Sequence, residues 1–205
     1  MHGISLWATP WWVNLLLLAP FINWAVWRKR PLGIDGSSLM FAGMFAAAFG
    51  FVEAAVVVYL RAALGIVPEA AVQLNEVNRI TSQLSVPASQ LPPIVQNMMH
   101  VEVAREAATI IMLLSVAMLA ARALRDRWAA FLWMFAIWDI LYYVGLWATV
   151  RWPASLLDVD VLFLIPVPWV SQVWFPVLVS GLCMVAVVLG RRKAGEAEKA
   201  KSAVA

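Results

Sequence analysis

Charged residues in this chain come in short bursts, and the stretches between them are almost wholly apolar. Five such stretches, 7–27, 39–61, 101–121, 128–150 and 168–190, reach the roughly 20 residues a helix needs to cross a hydrocarbon core about 30 Å thick. None shows the alternation of a lipid-embedded barrel strand, and an open sheet edge would leave backbone groups unpaired in lipid. The pattern predicts an all-α integral membrane protein with five transmembrane helices. They form one domain over 1–193, followed by a charged tail at 194–205 that is expected to fray. The first run lacks a basic leader and a small-residue cleavage site, and its Arg28-Lys29-Arg30 cluster comes after it. It therefore reads as a retained anchor rather than a signal peptide.

The bursts also orient the bundle. Arg28, Lys29 and Arg30 follow the first run, and Arg122, Arg125 and Arg127 separate the third from the fourth. Arg191, Arg192, Lys193, Lys199 and Lys201 follow the fifth. Eleven of the 15 basic residues thus fall on one side, leaving Arg61, Arg79, Arg105 and Arg151 on the other. Basic loops stay cytoplasmic, which predicts an N-terminus outside and a C-terminus inside, in a bacterial-type inner membrane. Trp7, Trp11, Trp12, Trp27, Trp128, Trp147, Trp152 and Trp169 lie near run ends, where amphipathic rings favour the interface.

Two connecting stretches have patterns of their own. The outer loop 62–100 holds "PEAAVQLNEVNRITSQL", which puts Ala71, Leu74, Val77, Ile80 or Thr81, and Leu84 on one stripe and predicts an amphipathic helix in the interface plane; the alternative is a lid over whatever lies beneath. The stretch "PASLLDVDVLFLIPVPW", with Asp158 and Asp160, reads as an interfacial turn with solvated aspartates; the alternative is a segment that dips back and closes a site from above. Pro166, Pro168 and Pro176 predict a kinked or broken start to the fifth span.

Composition agrees with the pattern. Hydrophobic residues make up 63% of the 205 and charged residues 13%, and the mean hydropathy is +0.82. Soluble domains sit near half apolar and a quarter charged. The basic residues follow topology and form no patch, so a nucleic-acid partner is not expected; the bilayer is the expected surrounding. The single cysteine, Cys183, lies in an apolar run and excludes an intrachain disulfide; an inert buried thiol is expected. No phosphate-binding loop, dinucleotide fingerprint, HExxH, CxxC or nucleophile elbow is present.

The chemistry resides in the acids. Asp35, Asp126, Glu196 and Glu198 belong to the basic side, and the other eight to the membrane or the outer side. Glu53 falls eight residues before Arg61, so roughly 12 Å inside the outer end of its span. Asp139 is near the middle of the fourth span, and Glu102 and Glu106 share a face one turn apart in the third. A carboxylate in hydrocarbon costs a few kcal/mol, so these side chains are expected to face the bundle or a wet cavity.

The expected site is therefore a buried carboxylate cluster near the outer face. Glu53, Glu106, Asp139 and Tyr142 carry its chemistry, and Glu53, His100, Glu102, Glu106 and Asp139 are the candidate metal ligands. The cation preferred for such a set is a divalent metal, iron or manganese, supporting redox or acid–base chemistry on a membrane-soluble substrate. The pattern is not a di-iron one, because "HVEVARE" is not Glu-x-x-His. His100 also sits about 200° around a helix from Glu102, so both serve one ion only if the helix starts after His100. The alternatives are a small proton- or ion-coupled transporter or channel subunit, a metal-free isomerase or cyclase of a lipid-soluble substrate, and a structural subunit of a larger membrane complex or homo-oligomer. Arg61, Arg105 and Arg151 are available to neutralise the acids.

Overall fold

The computed structural model describes residues 6–63 and 93–202, with side chains at 6–60 and 100–191. A 3-10 helix, Trp11–Leu18, runs into α1 (Ala19–Lys29). It is followed by α2 (Gly36–Ala63), α3 (Pro93–Ala120) and α4 (Leu124–Val150), then a two-stranded antiparallel hairpin, β1 (Val159–Phe163) and β2 (Trp169–Gln172), and finally α5 (Trp174–Ser202). The molecule is mostly helical. The amphipathic helix expected in the outer loop lies outside the described residues.

Four helical stretches are long and apolar enough to cross a membrane: Gly36–Leu60, His100–Ala120, Leu124–Val150 and Trp174–Arg191. The remaining expected span, 7–27, is not one helix. Pro20 has no N–H to bond back to the Leu16 carbonyl, which instead accepts from the Ala19 amide in the tighter 3-10 pattern. Large apolar side chains such as Phe41, Met44, Ile111 and Leu119 point outward, as suits contact with lipid tails.

Capping explains where several elements begin and end. The Asp35 carbonyl accepts the Leu39 amide at 3.2 Å, and its carboxylate accepts the Ser37 and Ser38 amides at 3.0 and 3.2 Å, making it the N-cap of α2. At its other extreme, α4 ends on Arg151 in the left-handed conformation (φ 58°), with Pro153 two residues beyond. At the C-terminal side α5 continues to Ser202 through an Ala-, Glu- and Lys-rich stretch of high helix propensity.

The basic ends of the helices meet. Asp126 accepts the Gly33 amide at 3.0 Å, the Leu32 amide donates to the Gly190 carbonyl at 3.2 Å, and Arg191 Nε donates to the Ile34 carbonyl. Trp27, Leu32, Leu113, Met134 and Val187 fill the core beneath them. Trp27 is therefore a core residue and not the interface anchor expected. Trp152, at the opposite end, is likewise buried, with Ala54, Tyr143, Leu146 and Val173.

Between these ends α2 and α4 make the closest approach. A Cβ on Gly50 would lie 2.6 Å from the Trp138 carbonyl oxygen, and one on Gly145 would lie 2.8 Å from the Ala54 Cβ. Only glycine fits either position. Within "FAAAFG", Ala46 is fully buried beside Gly50, as suits close helix packing.

The hairpin is the main departure from an all-α bundle. Pro166 and Pro168 bar a helix through the turn, and β-branched residues on both sides suit strands. Asp160 pairs with Ser171 and Val161 with Val170, with an irregularity before Phe163. Thr9 and Val170 exchange backbone hydrogen bonds at 2.8 Å, extending the sheet by one bridge. The helix over the last expected span consequently starts at Trp174 rather than at 168, with Pro176 tolerated in its first turn.

Candidate functional site

At the end away from the basic cluster, the helices and hairpin enclose a cavity of about 90 Å³. Its polar walls follow from helical spacing. On α3, Glu102, Arg105, Glu106 and Thr109 recur at i, i+3, i+4 and i+7, and the last three line the cavity. On α4 the same rhythm brings Phe135, Trp138, Asp139 and Tyr142 to the wall, with Tyr143 beside them. Glu53 enters from α2 and Ser180 from α5, while β1 and β2 supply Asp160, Phe163 and Trp169.

Each buried carboxyl has a donor. Glu53 forms an ion pair with Arg105 and accepts the Thr109 hydroxyl at 3.2 Å. Arg105 also reaches Glu102, through Nε at 3.0 Å and a terminal nitrogen at 2.6 Å. Asp139 accepts the Ser180 hydroxyl at 2.8 Å, and Asp160 accepts the Tyr143 hydroxyl at 3.0 Å. Glu106 accepts the Leu164 backbone amide at 2.8 Å, which fastens the hairpin turn onto α3. Asp158 stays near the surface, where it accepts the Ala154 and Ser155 amides.

One sequence expectation is revised, and another gains no support. The 153–169 stretch is not an interfacial turn with solvated aspartates: Asp160 is buried at 7% exposure, and the hairpin closes the cavity. Strand geometry sends Asp160 inward, and the Tyr143 hydroxyl is there to receive it. The expected metal set is also dispersed. Among the described residues no three His, Cys, Asp or Glu side chains converge on one ion position. His100 is exposed, because α3 begins at Pro93 and carries His100 within the helix, about 200° from Glu102. Glu102 and Glu53 are engaged by Arg105, and Glu106 by a backbone amide.

Of the expected chemical residues, Glu53, Glu106, Asp139 and Tyr142 do line one cavity. Thr109 and Ser180 are not singled out by the sequence, whereas Arg105 is named only as one of three arginines available to neutralise the acids and Asp160 only within the segment that dips back. The i, i+3, i+4, i+7 rhythm on α3 was the signal available for Thr109. Arg151 plays no part, since it lies over the Trp147 ring at 4.7 Å at the end of α4. Comparison with protein-family models, curated proteins and solved structures finds no match to the chain.

Proposed function

We propose that this chain crosses the membrane five times and uses its cavity as an acid–base site for the polar head of a membrane-soluble molecule. The observation that carries the reading is a charge imbalance: Glu53, Glu106, Asp139 and Asp160 line the cavity with Arg105 as the one cation among its described lining residues. Arg105 answers Glu53, and Glu106 and Asp139 are held by neutral donors, a backbone amide and a hydroxyl. Ionised carboxylates in that position cost several kcal/mol each unless a counter-charge arrives. Protons supply it at least expense, so the site holds exchangeable protons beside one ionised carboxylate. That combination, an acid and a base in one enclosure, is what general acid–base catalysis requires.

Topology fits this use. The 3-10 segment and α1 together reach about 32 Å at 2.0 and 1.5 Å per residue, enough for the first crossing. The basic ends then face the cytoplasm of an inner membrane, and the cavity opens in the outer half. A metal centre is the weaker reading, because the carboxyls are turned to separate partners.

Infrared difference spectroscopy of the protein in lipid nanodiscs, titrated through neutral pH, tests the proposal. Protonated-carboxyl bands that disappear singly in Glu106→Gln, Asp139→Asn and Asp160→Asn are expected. Identical spectra in wild type and all three variants would remove the basis of an acid–base site.

A further inference from the structure

Two residues that line the cavity also carry donors that nothing among the described residues answers. Trp138 and Trp169 both line it, and the indole N–H of each is buried with no hydrogen-bond partner among the described residues. Trp138 is the sharper case. It is 6% exposed, and its neighbours Phe135, Tyr142 and Phe163 meet it in tilted or stacked contacts, at centroid distances of 5.4, 6.4 and 6.3 Å. Trp169 meets Trp12 edge to face at 5.1 Å, so a ring face offers its N–H at best a weak partner. Buried donors are almost always paired, and an exception marks a strain reservoir or a place for another molecule.

We infer that the cavity takes an uncharged, oxygen-headed, lipid-soluble molecule, an alcohol or carbonyl compound whose oxygen accepts the Trp138 indole N–H. This rests on the acid–base reading of the same cavity. The alternatives fail on the groups present. An ammonium head has no acceptor atom and leaves both indoles unpaired, whereas a carboxylate or phosphate head meets an excess of acids. A hydroxyl accepts from the indole and donates to a carboxylate, satisfying both walls.

Size and access set the rest of the class. At about 90 Å³ the space is smaller than the roughly 150 Å³ that accommodates a benzene ring, so it takes a head of a few atoms and not a whole lipid. Leu16 lines the cavity and is also 37% exposed on the outer surface. An apolar tail therefore leaves past Leu16 into the bilayer.

The test uses three photoreactive probes with the same ten-carbon diazirine tail, ending in an alcohol, an ammonium or a carboxylate, applied to the protein in nanodiscs. The expected result is labelling near the cavity by the alcohol alone, competed by unlabelled decanol. Trp138→Phe, which keeps the ring and removes the donor, should raise the competing concentration about tenfold, the value of one neutral hydrogen bond. Trp169→Phe, made in parallel, should raise it less. Preference for the ammonium or carboxylate probe, no cavity labelling by any probe, or decanol competition unchanged in Trp138→Phe would each overturn the inference. The carboxyl infrared bands, recorded on the same samples, report whether the variant keeps its acid cluster. Bands that persist while labelling fails would sink the head-group class and leave the acid–base site standing.

Discussion

Replacing Gly50 with alanine tests whether α2 and α4 are held at the distance that builds the cavity. The new methyl would sit 2.6 Å from the Trp138 carbonyl oxygen and 3.1 Å from the Tyr142 amide nitrogen, and both of these are backbone atoms. A carbon–oxygen contact relaxes at about 3.3 Å, so the helices must part by roughly 0.7 Å. Overpacking of this kind costs about 1–3 kcal/mol. Alanine also gains about 1 kcal/mol of helix propensity over glycine, which hides part of the loss. Gly181→Ala isolates that gain, because a Cβ there meets nothing within 4 Å. Gly50→Ala should therefore fall below Gly181→Ala by about 1–3 kcal/mol in reversible unfolding from mixed micelles, followed by circular dichroism. Glu53, one turn along α2, shifts with it, so decanol competition at the cavity should weaken too. Equal stability of the two variants would mean that α2 and α4 are not locked at Gly50, and the packing account of the site would be wrong.

Two further outcomes follow from charged groups. Arg105→Gln leaves Glu53 buried without its counter-charge and should cost about 3–5 kcal/mol in the same unfolding assay. Glu53→Gln with Arg105→Gln should recover most of that loss, and a double variant as unstable as the sum of the singles would refute the pairing. The Asp35 carboxyl is held below its usual value near 3.8, mainly by the Ser37 hydroxyl and then by the Ser38 amide. A depressed folded value means that the stabilisation is present above pH 3.8 and lost as pH falls through the lower folded value. Asp35→Ala should unfold earlier than wild type at pH 6, and the gap should shrink below about pH 3.8; a gap constant with pH would refute the cap's charge dependence.

How far the sequence reached depended on whether a feature is set by one helix or by several. Apolar run length marked α2, α3 and α4 because a spanning helix satisfies its own backbone whatever surrounds it. The same measure missed the local backbone at 7–27 and 168–173, where prolines change the structure without changing hydropathy. Pro20 diverts the Leu16 carbonyl into a 3-10 bond, and Pro166 and Pro168 turn an apolar run into a hairpin. Trp27 and Trp152 illustrate a related limit: a tryptophan near a helix end suits the interface, but Gly190 on α5 leaves a hollow that Trp27 fills.

The site divides along the same line. Depth alone pointed to Glu53, Glu106 and Asp139, since a carboxyl inside a span has nowhere favourable to go except inward. Their partners come from other elements. Nothing near Glu53 in sequence indicates that Arg105, 52 positions on, will take it, or that Ser180 will donate to Asp139. Asp160 shows why this matters for function. Two aspartates two apart look equivalent on paper, but β1 begins between them, so Asp158 caps a surface turn while Asp160 meets the Tyr143 hydroxyl inside. The hairpin that carries Asp160 also brings Trp169 to the cavity and Leu164 to Glu106. One local choice of strand over turn therefore adds a fourth acid, a donor unanswered among the described residues and a roof to what depth had marked only as a cluster of charge.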